Sequence, residues 1–337
     1  MPGVHLTPNE VPLVDFSAFS SHGTVEEQKT AAEALLKAFR NVGFVYLTGH
    51  GVPEELVDET FAWSKKMFDL PYETKMLAPH PEDGAYHRGY SGLGREKVTQ
   101  MDPTTQKGEL ASRKVPDVKE NYEIGNDTDT ALPNIWLPDD ALPGFRPFMS
   151  SFFNRMTELA RQLHLALAVG LGLPDTQTLL KAHLLERYQL RLLHYPPVSI
   201  KELRKGEKER IGAHTDFGTF TFLFQDSVGG LEVASLTNPD VFLPVKPIPG
   251  TVLVNVGDML QRWTNDQLRS TMHRVRAPPP SDGEGEVTRA RYSIPFFIGP
   301  DPGTIVQCLP GCEGEGGAKY EPVDCMEWIM ERLRATY

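Results

Sequence analysis

The chain has 337 residues, of which 45 are Asp or Glu and 34 are Lys or Arg, so its formal net charge is −11. This acidic balance argues against a general binder of nucleic acid or of an anionic membrane surface. The N-terminal residues resemble neither a secretory signal nor a membrane span, and we expect a cytoplasmic protein that acts on a small-molecule substrate.

Residues 1–145 are predicted to form an N-terminal region of helices, short strands and one long loop. The segment VPLVDF, which begins at Val11, has the character of an edge strand, and Thr24 is placed to cap a helix with one buried stripe. A buried strand is predicted over 44–47. A second amphipathic helix is predicted to begin at Pro53.

The segment 79–143 has weak periodicity and many turn residues, which predicts an irregular, partly exposed loop. A loop of this length in a compact domain often covers a binding site, so this segment is our candidate lid. Apolar residues then recur at spacings of three and four from Phe148 to Leu167. This pattern predicts a long helix that supports a sheet.

Residues 146–337 are predicted to form the catalytic region, and its character becomes strand-like after Pro174. Short segments rich in β-branched and aromatic residues alternate with Gly, Pro, Asn or Asp, which is typical of a sandwich or barrel. The predicted strands are 188–195, 219–224, 230–233, 251–256, 271–276 and 291–298. We interpret NVGD at 255–258 as a tight structural turn, 277–286 as a hairpin connection and 323–334 as a final helix.

The stretch IGAHTDFGTFTFLF contains the residues most suggestive of chemistry. His214 and Asp216 are two residues apart, and the period of a strand places both side chains on one face. An imidazole and a carboxylate directed at one point suit a metal ion, and His273 in STMHRV is the candidate third ligand. Two histidines and one carboxylate on one side of an ion form the facial triad of non-haem Fe(II) oxygenases, which leaves positions for a co-substrate and O₂.

Two further strands carry alternating polar residues that predict a site for an organic acid. In RYSIPFF, Arg291 and Ser293 share a face, and if this face is buried the arginine needs an anionic partner. The guanidinium matches a carboxylate, although an ordinary structural ion pair remains the alternative. In LRLLHY, Arg191 and Tyr195 share the face opposite His194, so Tyr195 would donate to the bound acid and Arg191 to a polar substrate.

The order His-Thr-Asp, Gly-Asp, a later histidine and Arg-x-Ser resembles the Fe(II)/2-oxoglutarate-dependent dioxygenases of the isopenicillin N synthase-like group. The resemblance covers nearly the whole chain, from VPLVDF and GFVYLTGHGVP to LRLLHYPP and SIPFF. RGYSGLGREKVTQ and NDQLRSTMHRV look most similar to fungal thymine dioxygenase (thymine 7-hydroxylase) and related fungal secondary-metabolite oxidases.

This resemblance implies an α+β, mostly β fold, namely a double-stranded β-helix (jelly-roll) barrel with supporting helices. It also implies Fe(II) as cofactor, with 2-oxoglutarate and O₂ as co-substrates. The expected reaction oxidises a C–H bond of a small organic molecule, either a pyrimidine methyl group or a fungal secondary metabolite, and releases succinate and CO₂.

The resemblance also implies a role for each candidate residue. Iron would be bound by His214, Asp216 and His273, and 2-oxoglutarate by Arg291, Ser293 and Tyr195. The substrate would be bordered by Arg191, Phe217, Phe297 and Tyr90. Phe217 stands where thymine dioxygenase has tyrosine, so stacking is expected there without the hydroxyl contact.

Four other functions remain open from the sequence. They are fragmentation of 2-oxoglutarate to ethylene, an oxidase of the same fold that does not use 2-oxoglutarate, a zinc-dependent hydrolase or isomerase, and a non-catalytic binding module. A succinate assay and metal analysis with O₂ uptake would separate them. The substrate, the carbon oxidised and the oligomeric state are not determined by the sequence.

Overall fold

The largest element of the structure is an eight-stranded sheet. The structure is a computed structural model, and it describes residues 10–82, 86–95, 117–235, 237–238, 240–277 and 285–334. The strands are β1 (Leu13–Asp15), β2 (Phe44–Thr48), β3 (Gly89–Ser91), β4 (Glu120–Ile124), β5 (Gln189–Tyr195), β6 (Ile211–His214), β7 (Phe220–Gln225), β8 (Leu231–Ala234), β9 (Phe242–Pro244), β10 (Val252–Val256), β11 (His273–Val275), β12 (Arg291–Ile298), β13 (Ile305–Val306) and β14 (Val323–Asp324). The helices are α1 (Ser17–Ser20), α2 (Val25–Asn41), α3 (Glu54–Phe68), α4 (Tyr72–Lys75), α5 (Phe145–Leu171), α6 (Thr178–Lys181), α7 (Ile200–Lys205), α8 (Asp258–Trp263) and α9 (Cys325–Arg334).

Two sheets pack face to face. The larger has the order β1-β2-β10-β7-β12-β5-β4-β3, and the smaller has the order β6-β11-β8-β9. Between them lies a buried apolar cluster to which both sheets contribute, including Tyr46, Leu193 and Leu253 from the larger and Leu231 and Val275 from the smaller. This arrangement confirms the predicted jelly-roll architecture, although no closed barrel forms among the described residues.

Helices cover the other face of the large sheet and form the main core with it. Phe152 and Leu163 of α5 are fully buried in the same cluster as Phe222 and Phe296 of the sheet. The predicted long helix is α5, and the predicted capping of α2 is present as a capping box in which Thr24 and Glu27 bond reciprocally. This layer fixes the sheet whose other face carries the polar residues of the site.

The prediction that 79–143 is irregular is wrong for two strands, because β3 and β4 extend the large sheet beyond β5. β4 reads ENYEI and is buried at every position, so its charged residues obscure the strand pattern in the sequence. Those charges are paired inside the fold: Glu120 lies 2.8 Å from Lys75 Nζ. Residues 96–116 lie outside the described ranges, and the lid function stays a prediction.

Most other predicted elements are confirmed, including the edge strand β1, the buried strand β2 and the final helix α9. β9 was not predicted. The predicted connection 277–286 falls largely outside the described residues. None of the helices in the described ranges is long and apolar enough to cross a membrane. The division at residue 145 and the cytoplasmic location stay predictions.

Candidate active site

His214, Asp216 and His273 come together at one end of the small sheet. β6 ends at His214, and His273 opens β11 directly opposite it in the antiparallel register. One ligand atom from each of the three residues lies within 4.8 Å of the others. Asp216 Oδ1 is 3.9 Å from His214 Nε2 and 3.8 Å from His273 Nε2. The sequence-predicted triad therefore converges on one point.

Both imidazoles are oriented by backbone carbonyl groups. His214 Nδ1 lies 2.8 Å from the Gly212 carbonyl oxygen, and His273 Nδ1 lies 3.2 Å from that of Thr271. Because a neutral imidazole has one N–H, donation from Nδ1 leaves the Nε2 lone pair free for a metal. Burial lowers the pKa of His214, so this imidazole stays neutral at physiological pH.

Asp216 is held by two donors that were not predicted from the sequence. Its Oδ2 accepts hydrogen bonds from Thr221 Oγ1 at 2.6 Å and from Asn255 Nδ2 at 2.7 Å. Burial by itself raises the pKa of this carboxyl, but the two histidines and these hydrogen bonds lower the pKa on balance. The carboxylate is thus ionised, with Oδ1 directed at the histidines.

Asp258 connects the two segments that carry the triad. Its carboxylate accepts from Thr215 Oγ1 at 3.1 Å and from Ser270 Oγ at 2.5 Å, and its backbone N–H donates to the Asp216 carbonyl oxygen at 2.8 Å. The interpretation of 255–258 as a tight turn is wrong, because β10 passes through Gly257 directly into α8. A side chain at Gly257 would collide with the Gly218 carbonyl group, so glycine permits this close approach.

The donor set fits Fe(II). Neutral imidazoles and one carboxylate on the same side of an ion are the ligands of non-haem Fe(II) oxygenases, and three protein ligands leave other positions open. Among the described residues, this is the only group of three or more His, Cys, Asp or Glu side chains with metal-binding geometry.

A narrow cavity of about 80 Å³ leads from the triad between the two sheets to Arg291 and Ser293. Arg291 is only 1% exposed, and it donates to Ser293 Oγ and to Gln225 Oε1, each at 3.2 Å. Both partners are neutral, and its Nε is buried without a hydrogen-bond partner. The guanidinium also lies 4.9 Å from the ring centre of Tyr195, which lines the same cavity.

A second buried guanidinium, Arg210, lies on the same tyrosine ring, 5.7 Å from its centre. Burial and, after it, the charge of Arg291 lower the pKa of Arg210 to about 10. Within the described ranges, neither arginine has a carboxylate at ion-pair distance. Two buried cations with no ion-pair partner among the described residues favour the binding of an anion.

A larger cavity of about 240 Å³ opens from the other side of the triad. It is lined by three of the four residues predicted to border the substrate, namely Arg191, Phe217 and Phe297. The prediction was wrong for the fourth residue, Tyr90. This side chain is buried in the core, and its hydroxyl donates to Glu120. β3 places Tyr90 opposite Tyr122 of β4, away from the lining of this cavity.

Sequence reasoning missed several residues of this larger cavity. Arg88 and Arg187 lie on its wall, and α9 closes one side with Met326, Ile329 and Met330. The helix itself was predicted, but the packing of its apolar face over the site was not. His194 points away from the cavity, as predicted, because it pairs with Glu120 and stacks on Tyr292.

Two family profiles match the chain. "Non-haem dioxygenase in morphine synthesis N-terminal" covers residues 11–139, and "2OG-Fe(II) oxygenase superfamily" covers residues 182–300. The chain is 39% identical to "2-oxoglutarate-dependent dioxygenase frbA" of Dothideomycetidae sp. (strain 11243), with 97% of each chain covered. The chain belongs to the 2OG-Fe(II) oxygenase superfamily.

Other relatives agree with this membership. "Proline hydroxylase buaE" of Petromyces alliaceus is 40% identical, with 97% of this chain and 100% of that one covered. The crystal structure of Neurospora crassa T7H in complex with alpha-KG and thymine has a TM-score of 0.85 and 38% identity, with 97% of each chain covered. This superfamily member is an iron- and 2-oxoglutarate-dependent dioxygenase that uses O₂ to oxidise a small molecule.

Proposed function

We propose that His214, Asp216 and His273 bind the catalytic Fe(II). Arg291, with Ser293 and Tyr195, then binds the far carboxylate of 2-oxoglutarate. The observation that carries this proposal is the single narrow cavity that joins the triad to a buried guanidinium with only neutral partners. A metal-binding module without 2-oxoglutarate would have no use for an unpaired cation buried beside its metal.

Iron with 2-oxoglutarate and O₂ supplies the oxidation of the C–H bond, and succinate and CO₂ are released. The residues of this chain position the reactants and exclude water. Asn255 and Thr221 keep Asp216 Oδ1 on the metal side, while the buried strands β5 and β12 keep the co-substrate channel dry.

The substrate is proposed to be a small molecule in the larger cavity, between Phe217 and Phe297. Such aromatic walls suit a flat ring or an apolar ring by stacking. Thymine and proline are the first compounds to test, since one similar structure was solved with thymine and one relative is named a proline hydroxylase. Phe217 lacks a hydroxyl group, so a substrate that requires a polar contact at this position would be discriminated against.

The test of the proposal is succinate release in the presence of Fe(II), 2-oxoglutarate and O₂. We expect release to require all three and to be abolished in Asp216→Ala. His22→Asn is the matched control, because His22 is exposed, lies far from the triad in sequence and has a positive φ that asparagine tolerates. O₂ consumption without succinate would instead identify an oxidase that does not use 2-oxoglutarate. Metal binding without succinate release and without O₂ consumption would identify a non-catalytic binding module.

A further inference from the structure

Three guanidinium groups line the larger cavity, and two of them have carboxylate partners. Arg187 Nε lies 2.7 Å from Asp129 Oδ2, and Arg191 Nε lies 2.5 Å from Glu123 Oε1. Each of these carboxylates forms an ion pair with one arginine. The charges of these two pairs therefore cancel.

Arg88 is the third guanidinium, and it has no such partner. It is only 6% exposed, its Nη1 donates to the His87 carbonyl oxygen at 2.6 Å, and its Nε is buried without a hydrogen-bond partner. No carboxylate of the described residues lies at ion-pair distance from it. Burying an unpaired guanidinium is costly, so this arginine would be stabilised by an anion that arrives from the cavity.

The backbone beside Arg88 is shaped around its guanidinium. Gly125 follows β4 directly, and a Cβ added at this glycine would overlap Arg88 Nη2 and Cζ. Gly125 does not have a positive φ, so no turn requires glycine here. Its lack of a side chain instead leaves room for the Arg88 guanidinium. An alanine at this position would push the flexible end of Arg88 aside with little strain elsewhere.

We propose that Arg88 binds an anionic group of the substrate, so that the substrate is a small organic acid with a single negative charge and an apolar body. Among the described residues, three arginines of the cavity wall against Glu123 and Asp129 leave one positive charge. Asp216 is left out of this count because its charge faces the metal position. The rest of the wall is largely apolar, including Phe217, Phe297 and the α9 side chains. The inference rests on the proposed function of the same site.

The experiment compares each acid with its own amide. The probes are cyclopentanecarboxylate with cyclopentanecarboxamide, phenylacetate with phenylacetamide, and thymine as a neutral ring. Succinate release above the substrate-free rate is measured, together with the rise in Tm of anaerobic protein loaded with Fe(II) and 2-oxoglutarate. The variants are Arg88→Gln and Gly125→Ala. Arg146→Gln is the matched control, because Arg146 is half exposed and pairs with Asp127 outside the cavity.

We expect at least one acid to bind, with an affinity about 30-fold or more above that of its amide. This factor corresponds to the lower end of the range for loss of a desolvated charged contact. Arg88→Gln should abolish this preference, Gly125→Ala should reduce it, and Arg146→Gln should retain it. The inference is overturned if amides bind as tightly as acids, if thymine is turned over while no acid is, if no acid binds, or if Arg88→Gln keeps the preference.

The proposed function can fail separately. In that case the anaerobic protein would give no charge-transfer band with Fe(II) and 2-oxoglutarate before any substrate is added. A normal band together with indifference to substrate charge would refute only the role of Arg88.

Discussion

Replacing Arg291 with glutamine tests the co-substrate site, and the structure supplies the magnitude. Arg291 is 1% exposed and contacts only neutral protein partners, so its charge is available to the ligand. Loss of one partner of a desolvated charged contact costs about 2–5 kcal/mol. Arg210 remains 5.7 Å from the centre of the same Tyr195 ring and keeps part of the positive potential. We therefore expect the lower part of this range, about a 30- to 300-fold rise in the Kd of 2-oxoglutarate.

The same substitution removes one of two neighbouring buried cations. We therefore expect it to lower the affinity for 2-oxoglutarate without lowering the stability of the fold. We expect the free energy of unfolding of the ligand-free variant to stay within about 1 kcal/mol of the wild-type value. The assay is anaerobic titration of 2-oxoglutarate into the Fe(II)-loaded protein, followed by the visible charge-transfer band. Arg276→Gln is the control, because Arg276 is partly exposed and paired with Glu209. An unchanged Kd for Arg291→Gln would refute the assignment of this cavity to 2-oxoglutarate.

Three further predictions follow from other parts of the structure. Asp258→Asn should weaken Fe(II) binding about tenfold or more, because the loss of supporting hydrogen bonds has this effect at other metal sites. If the variant retained as much iron as the wild type during gel filtration with a chelator, the prediction would be wrong. Deletion of α9 should raise the KM for the substrate and leave the Kd of 2-oxoglutarate nearly unchanged, because α9 lines the larger cavity and not the narrow one. Equal changes in this KM and this Kd would contradict the prediction. Burial lowers the pKa of His183 from 6.5 to about 4, so the unfolded chain binds a proton in this range that the folded chain does not. The free energy of unfolding in urea should therefore fall as the pH falls from 6.5 toward 4, by about 3 kcal/mol at most from this residue, and His183→Gln should flatten the profile.

The triad proposed to bind the metal could be predicted from the sequence because its residues are few and close to strand ends. His214 ends β6, and Asp216 follows it two residues later, outside the strand. The antiparallel pairing of β6 with β11 then brings His273 opposite His214. Arg291 and Ser293 were accessible because the period of β12 places both on the cavity side. Iron was suggested by the residue types of the triad, whereas 2-oxoglutarate was assigned to Arg291 and Ser293 through the resemblance to a family.

Arg191 was found in this way, but Arg88, Arg187 and the carboxylates paired with the cavity arginines could not be. Glu123 is fully buried in a strand whose composition is typical of a loop, and only its pairing with Arg191 across β4 and β5 explains its place. Arg88 precedes a three-residue strand, and no sequence pattern distinguishes it from an exposed arginine. Tyr90 was misplaced because its motif resembles a family segment, whereas its direction depends on the pairing of β3 with β4. These side chains meet only through tertiary contacts.

Three side chains from separate segments are proposed to hold one ferrous ion beside the 2-oxoglutarate cavity. The most direct measurement is the visible spectrum of anaerobic protein titrated with Fe(II) at saturating 2-oxoglutarate, for the wild type, His273→Ala and His22→Asn. We predict that a charge-transfer band grows to one equivalent of iron in the wild type and in His22→Asn and is absent in His273→Ala. An undiminished band in His273→Ala would contradict the assignment of this metal centre.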